Sequence, residues 1–143
     1  MATKIFVNLP VKDLNKSVDF FTKLGFKFNP QFTDENATCM IVGEDIFVML
    51  LVENFFQTFT KKKIADATKT TETIIALSAD SKKIVDEMVN NAITAGGTIY
   101  SDPQDQGWMY QRSFQDLDGH QWEVIYMDMN AVPQTDSSAV SQN

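Results

Sequence analysis

Cysteine is almost absent. One, Cys39, stands among 143 residues, so no disulfide can form within the chain, and the usage fits a reducing compartment. Cys39 sits in Thr38-Cys39-Met40-Ile41, a stretch with the character of a strand interior, where a thiol acts as a small hydrophobe rather than a nucleophile. Basic residues are in the minority, 12 Lys and Arg against 19 Asp and Glu. The net charge of −7 argues against nucleic acid and anionic membrane as partners, because both require a basic surface. The one basic cluster, Lys61-Lys62-Lys63, has Asp66 close by and no interleaved aromatics, and reads as a solvated loop. No apolar run reaches transmembrane length. The opening MATKIFVNLP lacks the apolar core of a signal peptide, so the expectation is a cytoplasmic protein. What is present is ordinary: 43% hydrophobic and 22% charged residues, enough chain for one domain with one core.

Residues 4–11, KIFVNLPV, alternate. Ile5, Val7, Leu9 and Val11 fall on one side and Phe6, Asn8 and Pro10 on the other, which predicts a strand with one greasy and one mixed face. In KDLNKSVDFFTKLGF, Asp13 is an N-cap, Leu14, Val18, Phe21 and Leu24 form a helical stripe, and Gly25 is the stop. Three short strands are expected next (FKFNPQFT, ATCMIV, DIFVMLLV), with turn chemistry at Asp34-Glu35-Asn36 and Gly43-Glu44-Asp45. Residues 53–71 lose the periodicity. They predict a long connection with one helical turn around Phe55 to Phe59, and a candidate lid carrying Phe55, Phe56 and Phe59. The grammar then repeats. ETIIALSA predicts a strand, and DSKKIVDEMVNNAITAGG a helix capped by Asp80 with Ile84, Met88 and Ala95 on its stripe. TIYSDP, WMYQRSFQD and HQWEVIYM predict three more strands. Asp13 and Asp80 stand 67 positions apart, and at that spacing Lys16 meets Lys83, Val18 meets Val85 and Asp19 meets Asp86. The order is β-α-β-β-β twice over, an internal repeat. The tail from Asn130 is small and polar, and disorder is expected there.

The opening VNLPVKDLNKSVDFFTKLGF resembles the first βα unit of the vicinal oxygen chelate superfamily, the group of glyoxalase I, extradiol dioxygenases, fosfomycin-resistance enzymes and bleomycin-resistance proteins. The closing FQDLDGHQWEVIYMD is similar to that superfamily's Asp-x-Asp-Gly turn and last strand. Its Asp-Gly-His-x-Trp-Glu form resembles glyoxalase-like members whose function is mostly unassigned. The resemblance covers residues 4–128. It implies an α+β fold in which two βαβββ modules form a curved, eight-stranded mixed sheet around a cleft. The domain would span 1–129, with module one at 4–52, a connecting loop at 53–71 and module two at 72–128, ahead of the tail at 130–143. The resemblance further implies a homodimer and, in metal-dependent members, ligands projecting into the cleft from the first and fourth strands of each module.

Carried onto this chain, the first-strand ligand positions fall on Phe6 and Ile74. The fourth-strand position of module one falls among Met49, Leu50 and Leu51, and the last position falls on Glu123. A catalytic cation needs about three protein donors and open positions for water or substrate. One candidate of four survives, so the expectation is that the usual mononuclear site is largely lost and no cofactor is held. A slip in register leaves the alternative of a divalent metal at Glu123 with Glu72 or Asn8. Strand parity places 121, 123 and 125 on one face and 120, 122 and 124 on the other. His120 is therefore expected to point away from Glu123, as a turn-stabilising hydrogen-bonder rather than an acid–base group. The candidate ligand-binding set is Phe6, Asn8, Met49, Leu50, Ile74, Tyr110, Arg112 and Glu123. A carboxylate among so much carbon is costly unless paired or hydrogen-bonded, which makes Glu123 the one candidate catalytic residue, a general base. Three readings stay open. One is a metal-free cleft that binds a small, partly apolar molecule. The second is a lyase, isomerase or dioxygenase-type enzyme using Glu123 as base or metal ligand. The third is a non-catalytic dimeric scaffold.

Overall fold

The structure is a computed structural model that describes residues 3–133; most of the tail expected to be disordered lies outside the described residues. Alternation sends Leu9 and Val11 of β1 (Ile5–Val11) into the core. Asp13 then caps α1 (Leu14–Lys23), its carboxylate accepting the amide of Lys16 at 3.1 Å, which satisfies one of the orphan N–H groups of the first turn. Gly25 ends the helix at a φ of +103°, a conformation glycine adopts at little cost. β2 (Lys27–Asn29), β3 (Ala37–Gly43) and β4 (Ile46–Val52) complete the first module. The strand expected to continue through Pro30 stops at Asn29. Pro30 has no N–H to give a ladder, and the Asn29 side chain accepts the Gln31 amide at 3.0 Å, opening a single 3-10 turn.

A short α2 (Glu53–Phe56) and a 3-10 turn through Phe59 lead into the connection. The second module follows with β5 (Ile74–Ser78), α3 (Lys82–Thr94), β6 (Gln104–Asp105), β7 (Met109–Gln115) and β8 (Gln121–Met127). Two local expectations need correction. α3 is capped not by Asp80 but by its neighbour Ser81, whose hydroxyl accepts the Ile84 amide at 3.1 Å. TIYSDP supplies only an isolated bridge from Thr98 to Gln115, and β6 begins beyond Pro103, whose ring cannot donate to a ladder.

The strands form two four-stranded sheets, β1-β4-β3-β2 and β5-β8-β7-β6, with β1 parallel to β4 and β5 parallel to β8. The duplicated βαβββ order is present. The strands of the two modules form separate sheets: among the described residues no pairing joins β1 to β5, and each stands at the edge of its sheet. At the end of β1 nearest the second module, Pro10 has no N–H to offer, and its carbonyl accepts from His120 Nε2 at 2.8 Å instead of from a strand.

One core serves both modules. Leu9, Val11, Met40, Val48 and Leu50 of the first sheet join Phe114, Trp122 and Val124 of the second, together with buried residues of α1 and α3. The Phe21 ring lies 5.3 Å from Trp122, Phe20 lies 6.1 Å from Phe114, and Phe114 stacks parallel to Trp122. Each such side chain taken from water contributes about 1.5–3 kcal/mol. The turn before β8 is pinned by Asp116, which is buried. One carboxylate oxygen accepts the amides of Asp118 and His120, and the other accepts Trp122 Nε1, all at 3.0 Å. Burial pushes the Asp116 carboxyl up from the usual aspartate range, while His120 and the hydrogen bonds pull it back. From this turn Asp118 accepts the Lys12 amide at 2.9 Å and the Ser17 hydroxyl at 3.4 Å, so module two grips the start of α1. An Asp116→Asn chain would set an N–H₂ group against one of three donors. The expected loss is about 1–3 kcal/mol, read as a lower urea midpoint at unchanged slope; an unshifted midpoint contradicts the pinning role.

Candidate functional site

Each sheet has a second face, turned away from the shared core. On the first sheet the register gathers Phe6 and Asn8 of β1 with Phe47 and Met49 of β4 and Cys39 of β3. Phe6 and Phe47 stack with ring centres 5.0 Å apart. On the second sheet Ile74 and Ala76 of β5 share a face with Gln121, Glu123 and Ile125 of β8 and with Gln111 and Ser113 of β7. Two groups of candidate residues thus emerge, Phe6 with Asn8 and Met49, and Ile74 with Glu123. No strand pairing or hydrogen bond among the described residues joins one group to the other.

Three candidates lie elsewhere. Leu50 is fully buried opposite Leu9, one residue from Met49 and therefore on the core side of β4. Tyr110 and Arg112 share parity with Phe114 and face α3. The Tyr110 hydroxyl donates to Asp86 at 2.7 Å, and the Arg112 guanidinium reaches Asp86 at 3.1 Å and Asn90 at 3.0 Å. Held there, Arg112 cannot act as an electrophile beside Glu123. His120, bound to the Pro10 carbonyl, fastens one module to the other.

The neighbours of Glu123 are different ones. Gln111 Nε2 donates to its carboxylate. Ser113, directly opposite on β7, is buried and shares a 2.6 Å hydrogen bond with Ser101. The Tyr100 hydroxyl donates to the Trp122 carbonyl at 3.4 Å. Burial, and then the charge of Glu123, push the Tyr100 phenol up from its ordinary value. Among the described residues, the ion pairs leave Glu123 without a basic partner. Gln111 and Ser113 were discoverable from sequence by counting alternate residues along β7, once its register against β8 is known. Tyr100 and Ser101 come from a segment with no legible periodicity and carried no signal.

The superfamily's mononuclear metal centre does not fit this donor set. Phe6 and Ile74 put hydrocarbon at two ligand positions, and the residues beside Glu123 are an amide, hydroxyls and a methyl group. Glu72 and Asn8 line a cavity that does not include Glu123. Among the described residues, no three His, Cys, Asp or Glu side chains come together as a metal site. The three phenylalanines of the candidate lid are not placed together. Phe56 lines that cavity, whereas Phe55 packs edge-on against Phe59, which is 68% exposed.

Two βαβββ modules, each with its own mixed four-stranded sheet, define a glyoxalase-like fold. The bleomycin resistance protein-like N-terminal family model matches residues 3–43. Hypothetical protein SA1046 from S. aureus is similar at 32% identity over 88% of this chain and 95% of its own, with a TM-score of 0.74. A glyoxalase/bleomycin resistance protein/dioxygenase family enzyme from Burkholderia phytofirmans PsJN matches at 17% identity over 88% and 99%, with a TM-score of 0.73. The fosfomycin resistance protein FosX from Mesorhizobium loti matches at 15% identity over 91% and 96%, with a TM-score of 0.66; these last two show the fold. A comparison with curated proteins finds no match. The chain belongs to the vicinal oxygen chelate superfamily, the glyoxalase/bleomycin resistance/dioxygenase group. Among the described residues no helix is long and apolar enough to cross a membrane.

The Tyr110–Asp86–Arg112 cluster has a pH signature. The Tyr110 hydroxyl, and after it Arg112, holds the Asp86 carboxyl below the usual range. A depressed folded-state pKa contributes stability that is present above the unfolded value of about 3.9 and is lost as pH falls through the folded value. Asp86→Asn is therefore expected to lower stability at neutral pH and to flatten the acid limb of the stability profile. Denaturation followed from neutral to acid pH reads both effects; an acid limb as steep as the parent's contradicts the assignment.

Proposed function

We propose that the protein is a cytoplasmic small-molecule binder that holds a partly apolar ligand against the Glu123 face, in a metal-free cleft completed by a second copy of the chain. The observation that carries this reading is the makeup of that face. Ile74, Ala76 and Ile125 form an apolar wall, and Glu123, Gln111 and Ser113 converge on it, the mixture typical of a small-molecule site. Supporting the second copy, Ile41, Phe6 and Ile74 are 37%, 48% and 49% exposed on the faces turned from the core, more clustered apolar surface than scattered exposure explains. A two-fold contact is self-complementary. It would set the Phe6–Asn8–Met49 face of one copy over the Glu123 face of the other, twice, and so reunite the two halves of the ligand-binding set.

A lyase- or isomerase-type enzyme is the second reading. Glu123 would abstract a proton, and the Tyr100 and Ser113 hydroxyls would donate to the developing oxyanion. Arg112 favours binding over catalysis, because the nearest guanidinium is committed to Asp86 on the other side of β7.

Sedimentation and thermal-shift measurements test the proposal. The parent is expected to sediment as a dimer and Phe6→Glu as a folded monomer. A small aromatic compound that raises the midpoint by binding the native state should lose roughly tenfold or more in affinity in Glu123→Gln, since hydrogen bonds to charged groups are worth about 1.5–3 kcal/mol. Zn²⁺, Ni²⁺, Mn²⁺ and Fe²⁺ should leave the midpoint unmoved. A stabilisation by one of them that disappears in Glu123→Gln contradicts the metal-free cleft.

A further inference from the structure

A second space lies beside β1; Gln121 borders it, but Glu123 does not. A cavity of about 380 Å³ separates Val7–Pro10 from the connecting strap, with Phe56, Lys62, Lys63, Ile64 and Glu72 in its wall, a size usual for small-molecule sites. One side of it is main chain. Ile5 N donates to Asp45 O at 2.9 Å, and along an edge strand the main-chain groups of alternate residues turn to opposite sides. Ile5, Val7, Leu9 and Val11 therefore bond to β4, while Phe6, Asn8 and Pro10 turn to the free edge. The Pro10 carbonyl is taken by His120. Asn8 keeps an N–H and a C=O side by side at the cavity, with no partner among the described residues. One residue of an extended peptide satisfies such a pair by strand addition.

The charges are separated along the strap: Lys62 and Lys63 precede its approach to Gly119, and Glu72 follows it on the way to β5. The strap is braced. Gln57 Nε2 donates to the carbonyls of Thr60 and Lys62 at 2.9 and 2.8 Å. Further on, Asp66 accepts the Thr68 amide at 3.0 Å, and the strap presses so closely on Gly119 that a Cβ there would sit 2.9 Å from Ala67 and Thr68 backbone atoms. The cavity is thus built by the fold and not by a dangling loop.

We infer that this cavity binds a short peptide with free termini, a di- or tripeptide with apolar side chains. Its carboxylate lies at Lys62 and Lys63, its ammonium at Glu72, and its peptide group hydrogen-bonds to one main-chain group of Asn8. Its side chains pack on Phe56 and Ile64.

Isothermal titration of the full chain with Leu-Leu, N-acetyl-Leu-Leu and Leu-Leu-amide tests this. Leu-Leu is expected to bind, and each capped form to bind about tenfold more weakly, equivalent to about 1.4 kcal/mol. Lys62→Glu with Lys63→Glu should abolish Leu-Leu binding without changing the circular dichroism spectrum, since both residues are exposed. Glu72→Gln should weaken Leu-Leu but leave N-acetyl-Leu-Leu unaffected, and Leu-Leu should shift the Asn8 amide resonance. The inference is overturned by absence of heat and of an Asn8 shift at millimolar Leu-Leu, by equal affinity for the three peptides, or by charge-reversed protein that binds as the parent does.

Discussion

Asp116 accepts three hydrogen bonds in a place where few charges are tolerated, and the shape this gives residues 116–122 decides how the second module meets the first. A buried carboxylate without partners would cost several kcal/mol. Here two turn amides and the Trp122 indole satisfy it, and burial still pushes its pKa upward. The net electrostatic return is small, and the consequence is geometric. The same turn directs Asp118 to the Lys12 amide, His120 to the Pro10 carbonyl and Trp122 onto Phe21. Remove that turn and the two modules lose both their polar latch and the orientation of the ring at the centre of their common core.

A shared core has a second effect. The helix-facing side of each sheet is consumed by packing, so the opposite sides are left to do something else. Cys39 and Ser113 on these sides are buried, but the sides also carry Phe6, Phe47, Met49, Ile74 and Ile125 alongside Glu123. On the proposed reading these side chains are the wall for an apolar ligand. Among the described residues Glu123 has no cation partner, and Gln111 is its hydrogen-bond donor.

Much of this was legible in the chain. The alternation of KIFVNLPV, the Asp13 cap and the Gly25 stop each specify local geometry with a residue whose physics admits few alternatives, and their recurrence after the connection exposed the duplication. Parity was legible where a strand's start was marked, as at Asp118-Gly119 before β8, so His120 and Glu123 were sorted to opposite faces. It was not legible for β7. Trp108-Met109-Tyr110 gives no sign of where the ladder begins, so the sequence does not show that Tyr110 and Arg112 lie against α3 rather than beside Glu123. Leu50 and Met49 show how fine the distinction is, since a single step along β4 separates core from open face. The division into two sheets had no local signal at all. It depends on which strand edges meet, a long-range property that Pro10 and His120 settle together.

Native-state hydrogen exchange on the main-chain amides of β4 and β8 tests the shared core most directly. If one core holds both modules, the slowest amides of the two strands exchange through the same global opening, with equal free energies that fall in parallel as denaturant is added. Protection of β8 that outlasts β4 under those conditions, or the reverse, would mean that the modules open separately, and the common core would not be what holds the fold together.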